Sequence, residues 1–319
     1  MLEQLKFVQG SVAKKEFLPA LTHFVIENGT VRGYNGMIAI CSPIPLDIAC
    51  KPKAAEMVRA IMNCDETVQM KLTPAGRLSI KSGSYKTLVD CADGETPHVL
   101  PSGQTHALDG SALLAGLKAV YPFIGKDASR PWCGGVLVNG PSLFATNNVT
   151  LVEFWVGVTT LPHVVNLPKP AIDELLRLGE PPTHVQVDDN SVTFHFAGNR
   201  WLRTQLLESN WPDLSKVLDL PCDPQPIDPR IFEALKKLQH NADKLERVMF
   251  KPDMLCTHND QDEERASFDI PGLNVPGVFN ISMLKLLEGA ATHVDFSTYP
   301  RPCMWRGERM RGAIVGMRA

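Results

Sequence analysis

The sequence predicts an α+β chain built from tandem units, each a short amphipathic helix laid on a small antiparallel sheet. Three observations carry that prediction. Helical segments recur along the whole chain, apolar residues alternate at every second position between them, and turn-forming clusters separate the alternating runs. The six helical segments are 14–21 (KKEFLPAL), 52–62 (PKAAEMVRAIM), 111–120 (SALLAGLKAV), 170–178 (PAIDELLRL), 229–238 (PRIFEALKKL) and 281–290 (ISMLKLLEGA). One apolar anchor in each, Phe17, Met57, Leu114, Leu175, Phe232 and Leu284, recurs at intervals of 40 to 61 residues, which is the signature of an internal repeat.

The helices carry start signals and a helical apolar spacing. Met57, Val58, Ile61 and Met62 in the second segment, and Ile172, Leu175 and Leu176 in the fourth, fall on one face. Asp228-Pro229 sets a capping acceptor before a proline at the first helical position, and Ser111 and Ser282 can cap theirs. Pro19 conflicts with the first segment, because it removes a hydrogen bond inside a helix.

Between helices the period changes to two. Val68, Met70 and Leu72 alternate with polar residues, as do Val192, Phe194 and Phe196; Val152, Phe154 and Val156 alternate with Glu153 and Trp155. Val294 and Phe296 continue the pattern near the end. These read as half-buried strands facing a helix, separated by turns at 27–30, 74–76, 188–190 and 196–199.

A fifty-residue unit buries too little surface to stand alone, so units are expected to pair into domains. Strands ending in acidic turns with proline at Pro97 and Pro212, each followed by a Leu/Pro-rich crossing, mark boundaries. The resulting domains are 1–103, 104–221 and 222–319, which suits 319 residues. With 44% hydrophobic and 21% charged residues, the composition is that of a globular protein. No apolar run reaches ~18 residues, and the start lacks the basic patch and apolar stretch of a signal peptide, so a soluble, cytoplasmic protein is expected. The eight cysteines are scattered, with none two residues apart, which argues against a zinc ribbon or redox motif.

A formal net charge of −3 gives no bulk sign of nucleic-acid binding, but the distribution does. Lys14, Lys15, Lys53, Arg59, Lys118, Lys169, Arg177, Arg230, Lys236, Lys237 and Lys285 sit in or beside the helical segments, while acidic residues gather in turns such as Asp188-Asp189 and 258–264. Taken singly, each is an ordinary solvated helix position. Together they suit phosphate neutralisation on duplex DNA without base reading. No P-loop, dinucleotide fingerprint, zinc helix or nucleophile elbow is present. No catalytic residue, metal or cofactor is therefore expected.

The residues nevertheless resemble a known family from end to end. Asn199-Arg-Trp-Leu-Arg-Thr-Gln-Leu-Leu-Glu-Ser-Asn-Trp-Pro-Asp-Leu-Ser-Lys-Val-Leu218 is similar to a strand, an aromatic-Pro-Asp turn and a basic-Val-Leu pattern of the bacterial DNA polymerase III beta sliding clamp. Arg130–Val138 and Leu143–Leu151 resemble that family's central-domain strands, and Ala313–Ala319 its short apolar tail. The resemblance implies three tandem clamp domains, two helix-sheet units in each, closing head-to-tail into a ring of two chains with twelve helices around the hole. It implies a processivity factor rather than an enzyme, with double-stranded DNA, a DNA polymerase and a clamp loader as partners. It also makes strand 84–89 the first-domain candidate for ring closure, against a third-domain partner near helix 231–240.

The family's partner-peptide pocket maps onto Cys133, Thr146, Asn148, Val149, Thr150, Leu151, Pro212, Lys216, Val217, Leu245, Ala313, Val315, Gly316, Met317 and Arg318. The chain departs from the family there. Thr146-Asn-Asn-Val-Thr-Leu151 stands where clamps carry Thr-Asp-Gly-His-Arg-Leu, and Gly316 replaces a proline. Those departures suit a different set of partners, such as a phage's or mobile element's own polymerase. The competing reading is a structural or assembly protein, such as a virion component, using the same repeat without DNA.

Overall fold

The computed structural model describes residues 1–15, 18–65, 67–127, 129–208, 211–257 and 266–318. Phe17, Ser209-Asn210, the acidic stretch 258–264 and Ala319 lie outside them. Among the described residues, α-helices run over Leu2–Val8 (α1), Ala54–Met62 (α2), Gly110–Val120 (α3), Lys169–Leu178 (α4), Ser215–Leu218 (α5), Arg230–Leu238 (α6) and Ile281–Lys285 (α7).

By contacts the chain forms two compact units. The first comprises Met1–Leu114, Leu161–His163 and Pro170–Leu206; the second comprises Ala115–Thr160, Val164–Lys169 and Leu207–Ala319. Unit 1 holds a seven-stranded antiparallel sheet in the order β1 (Val25–Glu27), β2 (Thr30–Tyr34), β3 (Ile38–Pro43), β14 (Arg200–Gln205), β13 (Ser191–Phe196), β12 (His184–Asp188), β7 (Gln104–Ala107). It also holds a three-stranded sheet, β4 (Gln69–Leu72), β5 (Leu78–Ser82), β6 (Tyr85–Val89). Unit 2 holds an eight-stranded sheet: β11 (Val165–Pro168), β8 (Gly135–Asn139), β9 (Ser142–Thr146), β10 (Thr150–Trp155), β22 (Met310–Ile314), β21 (Cys303–Gly307), β20 (His293–Val294), β15 (Gln225–Pro226). Its second sheet is β18 (Ser267–Asp269), β17 (Met254–Thr257), β16 (Arg247–Lys251), β19 (Gly277–Asn280).

The small separate sheets expected from local periodicity thus merge. β3 pairs with β14, placing Cys41 opposite Trp201, and β10 pairs with β22, placing Leu151 opposite Ala313. Joining two sheets edge to edge satisfies two rows of backbone groups that would otherwise face solvent.

Four helices follow the expected apolar spacing, and the first does not lie where it is expected. α2 buries Ala54, Met57, Val58, Ala60 and Ile61, and α6 buries Ile231, Ala234, Leu235 and Leu238. α4 buries Ala171, Ile172 and Leu175, and α3 buries Leu113, Leu117 and Val120. The first helix is α1, with Leu5, Phe7 and Val8 inward and Glu3 and Lys6 at the ends that suit the helix dipole. Lys14 and Lys15 lie in an exposed bend rather than on a helix, and Pro19 opens a 3-10 turn over Pro19–Thr22. A proline fits a first turn, where its missing N–H costs nothing, and not a helix interior.

The caps also differ from those expected. Asp228 Oδ1 accepts the Arg230 N–H (2.9 Å), but α6 begins at Arg230, so Pro229 holds the cap position rather than the first helical one. Asp109 Oδ1, not Ser111, accepts the Ala112 N–H (2.9 Å), and Asn280 Oδ1, not Ser282, accepts the Met283 N–H (3.0 Å). An Asp and an Asn two residues upstream take the cap instead, moving each cap by two residues. α7 ends at Lys285, short of the expected 290.

Of the strands, β13 buries Val192, Phe194 and Phe196 as predicted. β4 does not present a buried apolar face, and Leu72 is exposed. It is an edge strand with only β5 beside it. Phe296 is buried but sits in a 3-10 turn after β20. In unit 1, Phe7 meets Phe196 edge-on at 5.5 Å. The core of unit 2 has Phe250, Phe279 and Phe296 within 5.2 to 5.4 Å of one another and Trp305 stacked on Phe123 at 5.9 Å, geometries that aromatic quadrupoles favour.

Candidate functional site

Two groups of side chains are candidates: the basic residues on and beside the helices, and an apolar cluster on one face of the eight-stranded sheet.

In unit 1, α1 packs on α2. Lys14, Lys53 and Arg177 line one cleft of about 510 Å³, together with Gln9 and Glu174. Lys53 occupies the N-cap position of α2 and pairs with Glu56 at 2.9 Å, while the Arg59 Nε donates to Ala55 O at 3.3 Å. Arg177 is committed further: it donates to the carbonyls of Lys6 (3.2 Å) and Phe7 (3.0 Å) and to Glu174 Oε2 (2.6 Å). Those carbonyls belong to the last turn of α1, where intrahelical partners run out. Gly10 makes room for this knot, since a Cβ there would collide with the Glu174 carboxylate. Lys15 is exposed beside Lys14.

In unit 2, α6 and α7 pack together and exchange ties. Lys236 reaches Glu288 beyond α7 (2.6 Å), and Lys285 of α7 reaches Gln239 beyond α6 (2.8 Å). Lys237 pairs with Glu233 at 2.7 Å and lies 4.8 Å from the Phe268 ring centroid. Arg230 chelates Asp228 and donates to Pro271 O. Its hydrogen bonds hold the Asp228 carboxyl below the usual range. Lys169 donates to the Tyr121 hydroxyl (2.7 Å) and lies over that ring. Lys118 is exposed in the last turn of α3. Lys14, Lys15, Arg59 and Lys118 have no carboxylate partner among the described residues. The carboxylate pairs of Lys53, Lys236 and Lys237 are solvent-exposed, and such pairs contribute about 0–1 kcal/mol, so a phosphate can displace them.

The second group builds on strand period. Leu137, Phe144, Leu151, Met304 and Ala313 share one face of the eight-stranded sheet, and with Leu218 of α5 they form one apolar cluster. Trp211, Leu214, Val217 and Cys222 pack onto it, and Trp211 meets Trp132 edge-on at 5.0 Å. Of the predicted pocket residues, Leu151, Val217 and Ala313 come together here. Pro212 and Lys216 flank them on the exposed turn leading through α5.

The β9–β10 turn brings in the next four. Asn147 Oδ1 accepts the N–H groups of Val149 (3.0 Å) and Thr150 (2.7 Å), which allows Asn148 a left-handed φ of 71°. Thr146 Oγ1 donates to Thr150 O (2.7 Å). Asn148 lies 3.7 Å from the buried Cys133 Sγ and accepts from Arg130 at 3.0 Å. The tail is tied down by Val315 N–H to Val149 O (2.8 Å) and Met317 N–H to Val278 O (2.7 Å). Gly316 has a packing reason: a Cβ there would stand 2.5 Å from the Tyr299 ring, whose hydroxyl donates to Met317 O. Arg318 is exposed at the tail. Leu245 is exposed in the turn after α6 and is not among the residues packed on the cluster.

Sequence reasoning missed Arg130 and Arg311 at this site. Arg311 bonds Glu153 (2.6 Å), Asp219 (3.0 Å) and Leu218 O, tying α5 to β22. Period two could have found it, because Arg311 shares a strand face with Ala313, as Phe144 does with Thr146. Both guanidinium groups stand near a site whose own turn carries no arginine.

No family model matches the sequence, and no curated protein matches it. Solved structures do match over the whole chain. The beta sliding clamp of Bartonella birtlesii bound to griselimycin superposes with a TM-score of 0.84 at 16% identity, covering 100% of this chain and 97% of that one. The clamp of Caulobacter crescentus gives 0.83 at 17%, and that of Bacillus subtilis 0.82 at 19%, each with the same coverage. The expected α+β architecture of antiparallel sheets and short helices is therefore the fold of the bacterial DNA polymerase III beta sliding clamp.

Proposed function

We propose that this chain is a DNA sliding clamp: a head-to-tail homodimeric ring that encircles duplex DNA without reading sequence and tethers a DNA polymerase. The observation that carries the reading is the fold likeness over the entire chain, at TM-scores of 0.80 to 0.84. Such a protein does no covalent chemistry. It acts in the cytoplasm, and among the described residues no helix is long and apolar enough to cross a membrane.

Of the eleven basic positions named above, all but Arg177 and Lys169 form the DNA-facing set in this reading, and binding comes from counterion release. Three domains, 1–103, 104–221 and 222–319, form each half ring. Ring closure uses two free sheet edges from different copies, β6 of one chain and β18, beside α6, of the next. Processivity then arises from the raised effective concentration of a tethered polymerase. The apolar cluster around Leu151, Val217 and Ala313, with Cys133, the β9–β10 turn, Leu245 and the tail around it, takes a short apolar peptide from polymerase or loader. Arg130, whose Nη1 donates to the neutral Asn148 side chain, favours an acidic residue in that peptide.

The test has two arms. Light scattering should give about 70 kDa, twice the 35.1 kDa chain, and loaded protein should stay on circular DNA and run off once the circle is cut. Reversing Lys15, Lys53, Arg59 and Lys118 to glutamate should abolish retention with the dimer intact. Arg177 and Lys169 are left alone because they support structure. A protein that stays monomeric across micromolar concentrations, or retention untouched by the reversal, would overturn the reading; an intact dimer that ignores DNA would favour an assembly protein.

A further inference from the structure

Two of the free cysteines, Cys50 and Cys91, meet across a short antiparallel crossing in unit 1. Cys50 precedes α2 and exchanges both backbone hydrogen bonds with Ile26, each 2.9 Å. Cys91 follows β6 by two residues. Pro52 pairs with Cys91, flanked by Lys53 N–H to Asp90 O and Ala92 N–H to Lys51 O, both 2.9 Å. Positions two apart on a strand share a face, so Cys50 lies on the diagonal from Cys91 on one side of the crossing. The Cys91 thiol stands close enough to Cys50 to act on it electrostatically. Both line one open cleft of about 340 Å³ with Glu27, Lys51 and Asp93, so a small reagent can reach them.

We propose that Cys50 and Cys91 form a reversible disulfide that staples the segment entering α2 to the exit of edge strand β6. The oxidant is a small disulfide such as oxidised glutathione. One cysteine loses its proton and its sulfur attacks the oxidant, releasing one glutathione thiolate and leaving a mixed disulfide. The second cysteine then loses its proton and displaces the other glutathione. Two protein thiols become one disulfide, one oxidant becomes two glutathione thiols, and the protons balance.

Two features set the character of this bond. Diagonal ladder positions stand wider than directly opposed ones, so closing the bond draws the two segments together. Burial pushes both thiols up, Cys50 to about 12 with the Cys91 thiol adding to the rise. Both sulfurs therefore rest as protonated thiols and react slowly at neutral pH, and faster as pH rises. Because α2 packs on β6, closing the bond fixes both elements together.

The full-length chain, incubated with oxidised glutathione at mildly alkaline pH, quenched in acid and peptide-mapped, tests this. The expected result is loss of two hydrogen atoms from the intact mass and one linked peptide carrying Cys50 and Cys91. The midpoint of thermal unfolding should rise by a few degrees, and all changes should reverse with dithiothreitol. Cys50→Ser and Cys91→Ser should each lack the linked peptide and the oxidant-dependent shift. Glutathione remaining on either cysteine, a link to another cysteine, no reaction, or a bond that leaves the midpoint unchanged would overturn the proposal.

Discussion

The last turns of α4 in unit 1 and α6 in unit 2 carry the same sequence feature, basic residues ending an amphipathic helix, and use it differently. In α4, Arg177 spreads its guanidinium over two carbonyls of α1 and is steadied by Glu174. In α6, Lys236 and Lys237 reach exposed carboxylates, Glu288 and Glu233. What differs is the neighbour. A second helix ending beside α4 presents carbonyls with no intrahelical donors, and a planar fork of N–H groups is shaped to fill that need. Among the described residues, nothing comparable ends beside the α6 lysines. A basic residue on a helix can thus be a structural cap or a charge free to bind a polyanion, and its place in the helix does not tell which.

The largest effect should come from breaking the α4 knot. Arg177→Ala leaves two α1 carbonyls without their charged donor. It should cost about 2 kcal/mol by urea unfolding, given that hydrogen bonds to charged groups contribute about 1.5–3 kcal/mol and this one is partly solvated. Lys237→Ala should change stability by less than about 0.5 kcal/mol, as surface substitutions usually do. Equal losses in the two variants would dissolve the distinction between the helices.

That distinction explains what was legible in the sequence. Helical spacing located α2, α3, α4 and α6 because each buries one face, and the period of two located β13 for the same reason. It misplaced the first helix. Leu5, Phe7 and Val8 occupy too short a stretch to show a period, whereas Lys14–Leu21 shows one that Pro19 prevents from forming. Pairings such as Cys41 with Trp201, or Leu151 with Ala313, join residues more than a hundred positions apart, so no local pattern reports them. The apolar cluster was half legible: Leu151, Val217 and Ala313 came through resemblance, whereas Phe144 and Met304 join it only through strand pairing. Arg311 went unseen because its partners Glu153 and Asp219 are distant in sequence.

Unit 2 has its own committed arginine, which sharpens the comparison. Arg247 gives both its backbone N–H (2.9 Å) and its Nε (2.6 Å) to Asp243, and both side chains are largely buried. Burial works to raise the Asp243 pKa, but the Arg247 hydrogen bonds outweigh it and the carboxyl is held below its usual range. A depressed folded pKa contributes stability that is present above the unfolded value near 3.9 and is lost as pH falls through the folded value. Asp243→Asn should therefore cost about 1 kcal/mol at pH 7, and the difference between wild type and variant should shrink as pH falls below the unfolded value near 3.9. A difference independent of pH would mean that the carboxylate charge is not what holds this turn.

The smallest effect concerns the exposed pairs, and it bears most on function. Lys236 and Glu288 are each about half exposed, at 56% and 40%. A double-mutant cycle on this pair should return a coupling below about 0.5 kcal/mol at low salt and none at 1 M salt, where the screening length is about 3 Å. The Arg177 bonds to α1 carbonyls, which need no opposite charge, should keep most of their contribution in the same salt. Weak coupling at α6 is what a DNA-facing lysine requires, because a carboxylate that holds it tightly must be displaced before a phosphate can bind. If the Lys236–Glu288 coupling instead exceeded 1 kcal/mol and survived high salt, α6 would resemble α4, and its lysines would have to be removed from the proposed DNA-facing set.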